Sequence, residues 1–334
     1  MNKVLLLSVV LLLLSLTITY LVRLFALRHK ILDIPNERSS HITPTPRGGG
    51  LAIVLSWYLG ITILFFCNLI DRNLYFALLS GSILAIISFL DDLITIKPLI
   101  RLTIQAITAV IAFFFLGGIS SVSLGGIEIT SIIILYPVFI IGIVWFINLF
   151  NFLDGIDGYA SLETITVAAF LFVFAGGVIN IILIACMLGF LFWNWPKAKI
   201  FMGDIGSTQL GFILIILGIH FHNSAELSIF HWLMLTSLFW FDATLTLFRR
   251  WRNKETLSIA HRKHAYQRAV QSGLSHQTTI LISMVINAII MGLVFVSRKY
   301  SSLIIPLFLI NMLFLFAITL LIDKKVPFSK SPSS

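Results

Sequence analysis

The sequence predicts an all-α polytopic membrane protein with about eleven transmembrane helices, its N-terminus outside and its polar loops in the cytoplasm. Three observations carry this. The chain is 58% hydrophobic and 11% charged, with a mean hydropathy of +1.02, values far from those of soluble domains. Apolar runs recur along its whole length, each matching the roughly 20 helical residues that cross about 30 Å of hydrocarbon. Strict apolar/polar alternation is missing, which disfavours a β-barrel, the other structure that can span lipid.

The candidate helices lie near 3–22, 50–68, 73–90, 99–117, 131–148, 160–175, 177–194, 207–221, 229–248, 277–296 and 302–322. The first is not a secretory signal: it is long, lacks a small-residue cleavage site, and is followed rather than preceded by basic residues, RLFALRHK. RGGGLA opens the second, read as a flexible entry loop or an anion-binding turn at a helix N-terminus. FLDDLITIKPL closes the third. Between the fourth and fifth, GGISSVSLGGIEIT has room for a small hairpin at most. NLFNFLDGIDGYASLE follows the fifth and FMGDIGSTQLG the seventh. A long polar loop from Arg249 to about His276 follows the ninth, and a short polar tail, 323–334, follows the eleventh. No internal repeat is seen, and residues 1–334 read as a single integral membrane domain. Cys67 and Cys186 both sit in apolar runs, so neither a disulfide framework nor a thiolate metal site is suggested.

Alternate loops belong to opposite faces of the membrane, and 19 of the 23 Lys and Arg residues fall on one face. By the positive-inside rule that face is cytoplasmic. The net charge of +9 therefore follows from topology and attraction to anionic lipid, and calls for no nucleic-acid partner.

Most carboxylates share the basic face. Asp91 and Asp92 end the third helix, Asp154 and Asp157 follow the fifth, and Asp204 follows the seventh. Singly, each reads as a helix cap or a solvated loop residue. Together, with two adjacent at a membrane boundary where repulsion and desolvation both oppose ionisation, they point to a divalent cation. Mg²⁺ fits, since it takes one or two carboxylates plus substrate phosphate oxygens, whereas no Cys/His spacing suggests zinc. Glycines beside the aspartates permit tight turns and close backbone approach to a phosphate. The absence of G-x-x-x-x-G-K-[ST] and of G-x-G-x-x-G after a strand disfavours an ATPase or a dinucleotide enzyme. In HRKHAYQRAVQSG, His261 and His264 would share a face of a helical turn, with Arg262, Lys263 and Arg268 around them and no carboxylate nearby, a pattern suited to an anion such as phosphate. His220, His222 and His231 are assigned no role.

DIPNERSSHITPTPRGGG, DD-x4-KP, N-x2-N-x2-DGIDG, N-x-P-x-A-K-x-FMGD-x-GS and HRKHAYQR occur in that order between matching hydrophobic spans. In this the chain resembles the bacterial polyprenyl-phosphate N-acetylaminosugar-1-phosphate transferases of glycosyltransferase family 4, over about residues 20 to 270. The resemblance implies an enzyme of the bacterial inner membrane, with its active site facing the cytoplasm, that moves a sugar 1-phosphate from a UDP-N-acetylhexosamine to undecaprenyl phosphate, releases UMP and needs Mg²⁺ or Mn²⁺; a homodimer is an expected assembly. By resemblance Asp204 and Asp92 would meet the metal, with Asp91 beside it as general base, and Asp154 and Asp157 would complete the diphosphate pocket with Asn148 and Asn151. Asn194 and Phe201 would contact the uracil. His261, Arg262, His264 and Arg268 would face the sugar phosphate, and Lys97 and Arg47 would add positive charge for the substrates. HRKHAYQR departs from the clustered histidines of the peptidoglycan and common-antigen branches and looks most like the branch that starts O-antigen or capsule repeats, often with N-acetylated 6-deoxyhexosamines.

Two rival classes are weighed against this. A secondary transporter holds its carboxylates near the bilayer midplane on broken helices, often in repeated halves, whereas these cluster at the ends of spans. A CDP-alcohol phosphotransferase would need an Arg after DGIDGYASLE that is not there.

Overall fold

A computed structural model describes residues 2–35, 43–94, 96–257, 259 and 261–330. Residues 36–42 of the first motif, Thr95 of the second, and Ser258 and Ala260 of the long polar loop lie outside the described residues. The chain is an all-α polytopic membrane protein. The helices are α1 (Asn2–Arg28), α2 (Gly50–Phe66), α3 (Arg72–Leu79), α4 (Gly81–Leu93), α5 (Pro98–Phe115), α6 (Ile132–Phe152), α7 (Tyr159–Ala175), α8 (Val178–Asn194), α9 (Asp204–Asn223), α10 (Ile229–Leu235), α11 (Ser237–Arg252), α12 (Ala265–Gln271), α13 (His276–Lys299) and α14 (Ile304–Lys325). Two short antiparallel pairs join them: β1 (Leu32–Asp33) with β2 (Thr45–Pro46), and β3 (Val122–Leu124) with β4 (Ile127–Ile129), Ser123 facing Glu128. The second pair is the small hairpin expected of residues 117–130.

All eleven predicted segments are helical. Seven are long and apolar enough to cross a membrane, those of α2, α7 and α8 are shorter, and the ninth is made of two short helices. The third predicted span is α3 plus α4, divided at Ser80, whose hydroxyl bonds back to the Ala77 carbonyl. The ninth is α10 plus α11, divided at Thr236, whose hydroxyl bonds back to the Trp232 carbonyl. Such back-bonding competes with the helical ladder and bends helices. Polar side chains start several helices: Asp71 accepts from the Leu74 amide at 2.9 Å and Ser275 from the Thr278 amide at 3.0 Å.

Helix α9 is the hub, buried over 89% of its apolar stretch and packed on α2, α4, α6 and α7. α14, by contrast, is buried over 17% and presents Leu309, Leu313 and Leu321 outward, as a lipid-facing helix must. Gly50 and Gly206 let α2 and α9 cross in backbone contact, since a Cβ on Gly50 would stand 2.4 Å from the Gly206 nitrogen. The Gly49 and Gly50 amides are bonded to the carbonyls of Phe201 and Met202 at 2.9 and 2.8 Å. Gly49 and Gly50 are therefore a packing surface, whereas Gly48, at φ +95°, has open space beside it.

Cross-chain bonds sort into two ends. Arg47 to Asp92, Asn151 to Asp204 and Ala198 to Asp157 lie at one end, and Asn223 to Leu116 and His222 to Ser121 at the other. The helices alternate in direction, and all five aspartates of the sequence motifs share the first end.

Candidate active site

Three helix ends build the aspartate pocket. Helix α4 delivers Asp91 and Asp92 in its last turn, α6 delivers Asn148 and Asn151 three residues apart, and α9 begins at Asp204. A carboxylate on the first residue of a helix meets the positive end of the helix dipole, which favours its charge. Asn151 fixes its orientation, donating through Nδ2 to Asp204 Oδ1 at 3.1 Å and to Ser207 Oγ at 2.8 Å. The Asp204 carbonyl accepts from Thr208 Oγ1 at 2.6 Å, and that hydroxyl lies 3.0 Å from Ser88 Oγ. Asn148 is held by Gln105 Oε1 at 2.6 Å and by the Val144 carbonyl at 2.7 Å. The space between them is lined by Asp91, Arg101, Gln105, Asn148, Asn151 and Asp204 among others.

Arg101 is the residue sequence reasoning missed. From the first turn of α5 its Nη1 reaches Asp91 Oδ2 at 2.5 Å and Asp204 Oδ2 at 3.3 Å, joining carboxylates 113 positions apart in the chain. The signal was present: an Arg four residues after Lys97 and ten after Asp91, one of only two basic residues in that loop. Asp91 also accepts from the Ile96 amide at 2.7 Å. With one oxygen on an amide and the other on a guanidinium, Asp91 anchors the α4–α5 turn.

Asp154 lies in the turn after α6. Its carboxyl is pushed well above the usual carboxylate range, first by burial and then by the negative charges of Asp204 and Asp157. Asp157 faces elsewhere: its Oδ2 accepts from the Ala198 amide at 3.1 Å and lies 3.2 Å from His276 Nδ1. It ties the DGIDG turn to the α8–α9 loop and to the start of α13. Asp92 touches the N-terminus of α9, with Oδ2 3.5 Å from the Ile205 amide, and Arg47 donates to its backbone carbonyl at 2.9 Å. Lys97 is exposed at the start of α5.

Among the described residues no three His, Cys, Asp or Glu side chains form a ready metal cage. The donor set nevertheless suits Mg²⁺, which needs only one or two carboxylates when substrate phosphates supply the rest. Asp204, oriented by Asn151 and acting electrostatically on Asp154, is the group best disposed to hold one, with Asp92 beside it.

The basic loop is built differently. His261 and His264 do not share a helical turn, because His264 is the extended residue that precedes α12, although their rings do adjoin, 4.8 Å apart. Asp242 of α11 caps α12, accepting from the Ala265 and Tyr266 amides at 2.8 and 3.3 Å, and His264 is buried 3.8 Å from it. Arg268 is buried against Asp323 and also donates to the Val326 carbonyl at 3.1 Å. Arg249 pairs with the same Asp323, and the Phe328 ring lies under Arg249, Lys263 and Arg268. Glu255 bridges Arg250 at 3.1 Å and Lys263 at 2.8 Å, so its carboxyl is held below the usual range against the opposing effect of burial. Glu255, Asp242 and Asp323 thus stand in the fold beside a motif that has no carboxylate of its own, and they engage Lys263, His264 and Arg268. His261 and Arg262 remain half-buried. Burial pushes the His261 imidazole down to about 3, helped by His264 and Arg250, so it is neutral at pH 7. Its Nδ1 accepts from the Lys263 amide at 3.2 Å, which leaves the proton on Nε2.

Asn194 is likewise fully engaged. Its Oδ1 accepts from the Gly158 amide and the Ser161 hydroxyl at 3.0 and 3.1 Å, and its Nδ2 donates to the Ile200 carbonyl at 3.0 Å. It is a buried tie between α7, α8 and the loop to α9. Phe201 is half-buried in the segment whose backbone pairs with Pro46 and Gly49. The basic loop and the aspartate turn meet at Tyr266, whose hydroxyl donates to the Phe152 carbonyl at 3.2 Å and stands 2.1 Å from where a Cβ on Gly155 would be.

A bundle with carboxylates and an arginine gathered where its helices end is an arrangement for handling phosphates at a membrane boundary. Residues 74–222 match the family model described as glycosyl transferase family 4. The chain is 29% identical over 360 residues to a probable undecaprenyl-phosphate N-acetylglucosaminyl 1-phosphate transferase of Bacillus subtilis, covering 99% of this chain and 96% of that protein. It is 34% identical over 201 residues to the undecaprenyl-phosphate alpha-N-acetylglucosaminyl 1-phosphate transferase of Thermotoga maritima, 59% of each chain. It is 35% identical over 157 residues to the phospho-N-acetylmuramoyl-pentapeptide-transferase of Streptococcus thermophilus, 41% of this chain and 46% of that one. These likenesses support the polyprenyl-phosphate N-acetylaminosugar-1-phosphate transferases as the chain's family.

Proposed function

We propose that the protein transfers an N-acetylaminosugar 1-phosphate from a UDP-sugar to undecaprenyl phosphate, releasing UMP and starting a lipid-linked surface glycan of the O-antigen or capsule type. The observation that carries this is the Asp204 cluster, a carboxylate oriented by Asn151, bridged by Arg101 to Asp91, and set against a second carboxyl at Asp154. Such a site holds anionic phosphates only with added positive charge. Arg101 supplies part of it, and Asp204 and Asp92 would hold Mg²⁺ or Mn²⁺, which would supply the rest as charge neutralisation for the diphosphate.

In this reading the residues position more than they transfer protons. A phosphate monoester has a second pKa of about 6 and is largely dianionic at pH 7, so the acceptor needs little help from a base. Arg101 moves from its carboxylate partners onto phosphate oxygens when substrate enters. Asn151 and Ser207 keep Asp204 in one orientation. His261 donates through Nε2 as a neutral group, which suits a hydroxyl or amide of the donor sugar, and Arg262 adds the cationic contact. The catalytic end faces the cytoplasm because it carries 19 of the 23 basic residues. Cysteines placed at the exposed positions Ser120 and Lys254 then label from opposite sides of intact cells, and same-side labelling overturns the orientation.

The deciding experiment is a donor screen. Purified protein with Mg²⁺ and undecaprenyl phosphate is offered several UDP-N-acetylhexosamines, and UMP release is measured. A UDP-6-deoxy-N-acetylhexosamine is the expected preferred donor. Better use of UDP-N-acetylglucosamine replaces that sugar and leaves the reaction standing. No UMP from any donor rejects the enzyme in favour of a transporter.

A further inference from the structure

Where α7 packs on α13, the contact buries the Glu163 carboxyl, 3% exposed, one turn into α7. Asn287 of α13, 2% exposed, donates through Nδ2 to Glu163 Oε2 at 2.5 Å. The pair is half satisfied. Glu163 Oε1 and Asn287 Oδ1 are both buried without a hydrogen-bond partner, and both are acceptors. Asn180, Gln209 and Asn311 also leave an amide oxygen unpaired, each singly. Glu163 and Asn287 leave theirs together, and both residues line one small cavity with room for about one water-sized occupant.

The rest of the polar lining is oxygen too. Thr166 lies three residues after Glu163 and Ser283 four before Asn287, so the hydroxyls share those two helix faces and also line the cavity. Each spends its proton on its own helix: Thr166 Oγ1 donates to the Leu162 carbonyl at 2.8 Å, and Ser283 Oγ to the Thr279 carbonyl at 3.0 Å. Lone pairs are what they have left. The Tyr159 hydroxyl, also in the lining, interacts with Ser283. A carboxylate inside the hydrocarbon is costly unless its charge is cancelled. A proton on Oε1 would cancel it but leave Asn287 Oδ1 unpaired, whereas a small cation between the two oxygens answers both. Hard oxygen donors suit an alkali or alkaline-earth ion, and one carboxylate balances a single positive charge.

We propose that Glu163 and Asn287, with Thr166 and Ser283, form a structural site for a small monovalent cation such as Na⁺, separate from the aspartate pocket. Its place gives it a task. Tyr159, one turn before Glu163, directly follows the DGIDG turn and stacks on Tyr266 of α12 with ring centroids 4.9 Å apart. An ion joining α7 to α13 here braces the helix start that carries both the aspartate turn and the contact with the basic loop. The site is independent of the transferase reading.

The test melts the full-length protein in detergent, at fixed Mg²⁺, in rising NaCl with choline chloride holding the ionic strength constant. The melting temperature is expected to rise with Na⁺ and to saturate, as a single site that binds the folded state requires. Glu163→Gln keeps the side-chain volume and an acceptor for Asn287 but carries no charge, and its melting temperature is expected not to respond to the exchange of choline for Na⁺. Asn287→Asp adds a second carboxylate to the same cavity, and its response is expected to saturate at a several-fold lower Na⁺ concentration; it carries the test where Glu163→Gln does not fold. A wild type that melts alike in both salts overturns the proposal and leaves a water beside a protonated carboxyl. An undiminished response in Glu163→Gln, or an unmoved midpoint in Asn287→Asp, also overturns it and puts the ion elsewhere. No readout uses turnover, so loss of the transferase reading leaves the test standing.

Discussion

The two charged regions at the catalytic end are opposites in construction. In the aspartate pocket, like charges are kept close with one arginine between them, and Asp204 and Arg101 remain 39% and 38% exposed. In the basic loop, among the described residues, the buried cations have carboxylate partners: Arg250 and Lys263 pair with Glu255, and Arg268, with Arg249 beside it, pairs with Asp323. The pocket is electrostatically incomplete, and the loop is complete. A region that leaves its charges unbalanced is one that awaits a charged ligand, whereas a balanced one is holding chain segments together.

The comparison is broken most directly at Asp204. Asp204→Asn keeps the shape and removes the charge, and transfer should fall by about 10²–10³-fold or more while the protein stays folded in detergent. Near-normal turnover at saturating Mg²⁺ would remove Asp204 from the site. Arg101→Gln tests the bridging charge. It should lower turnover roughly 10–100-fold, the range for a lost charged hydrogen bond, with little change in melting temperature, since its carboxylate partners can still face a cation. A large loss of stability with normal kinetics would make Arg101 structural.

Arg268→Ala sharpens the other side. It leaves Asp323 facing only Arg249 and removes a cation from beside the Phe328 ring, and breaking a buried ion pair costs about 3–5 kcal/mol. The expected phenotype is a clear drop in melting temperature, with transfer by the surviving folded protein within a few-fold of normal. An unchanged melting temperature with lost sugar discrimination would return Arg268 to the substrate.

Hydropathy made the spans legible, because lipid imposes one rule on every crossing segment; the bends at Ser80 and Thr236 were not, since a back-bonded hydroxyl leaves no mark in an apolar run. Asp204 and Asn151 were legible as types and spacings. Arg101 was hidden because its meaning lies in a contact with Asp204 across 103 residues. The same blindness covers Arg268, His264 and Asn194, whose partners Asp323, Asp242 and the Gly158 amide lie far from them in the sequence. Long-range pairing separates a site from glue, and it is the quantity one sequence carries least. Glu163 shows this inside the membrane: a carboxyl one turn into α7 meets Asn287 of α13 at 2.5 Å and locks two spans, although by residue type it reads as a transport site.

The subtlest test concerns His261, where the two regions meet. Its imidazole has a folded pKa of about 3 against about 6.5 in an unfolded chain, because burial and the positive charges of His264, Arg250 and Lys263 outweigh the opposing charge of Glu255. Between those values the unfolded chain binds the proton and the folded chain does not. Stability from this group is therefore intact above pH 6.5 and is lost progressively as pH falls toward 3. His261→Gln keeps a donor and cannot titrate. Melting temperatures of wild type and variant should differ least at pH 7.5, with the wild type losing ground between pH 6.5 and 5. Because the ring is half-exposed the shift should be a modest one. Turnover should show no titration attributable to His261 between pH 6 and 8, so a kinetic pKa near 6.5 that disappears in His261→Gln would mean that the ring is charged in the working enzyme and belongs with the phosphate-binding cations after all.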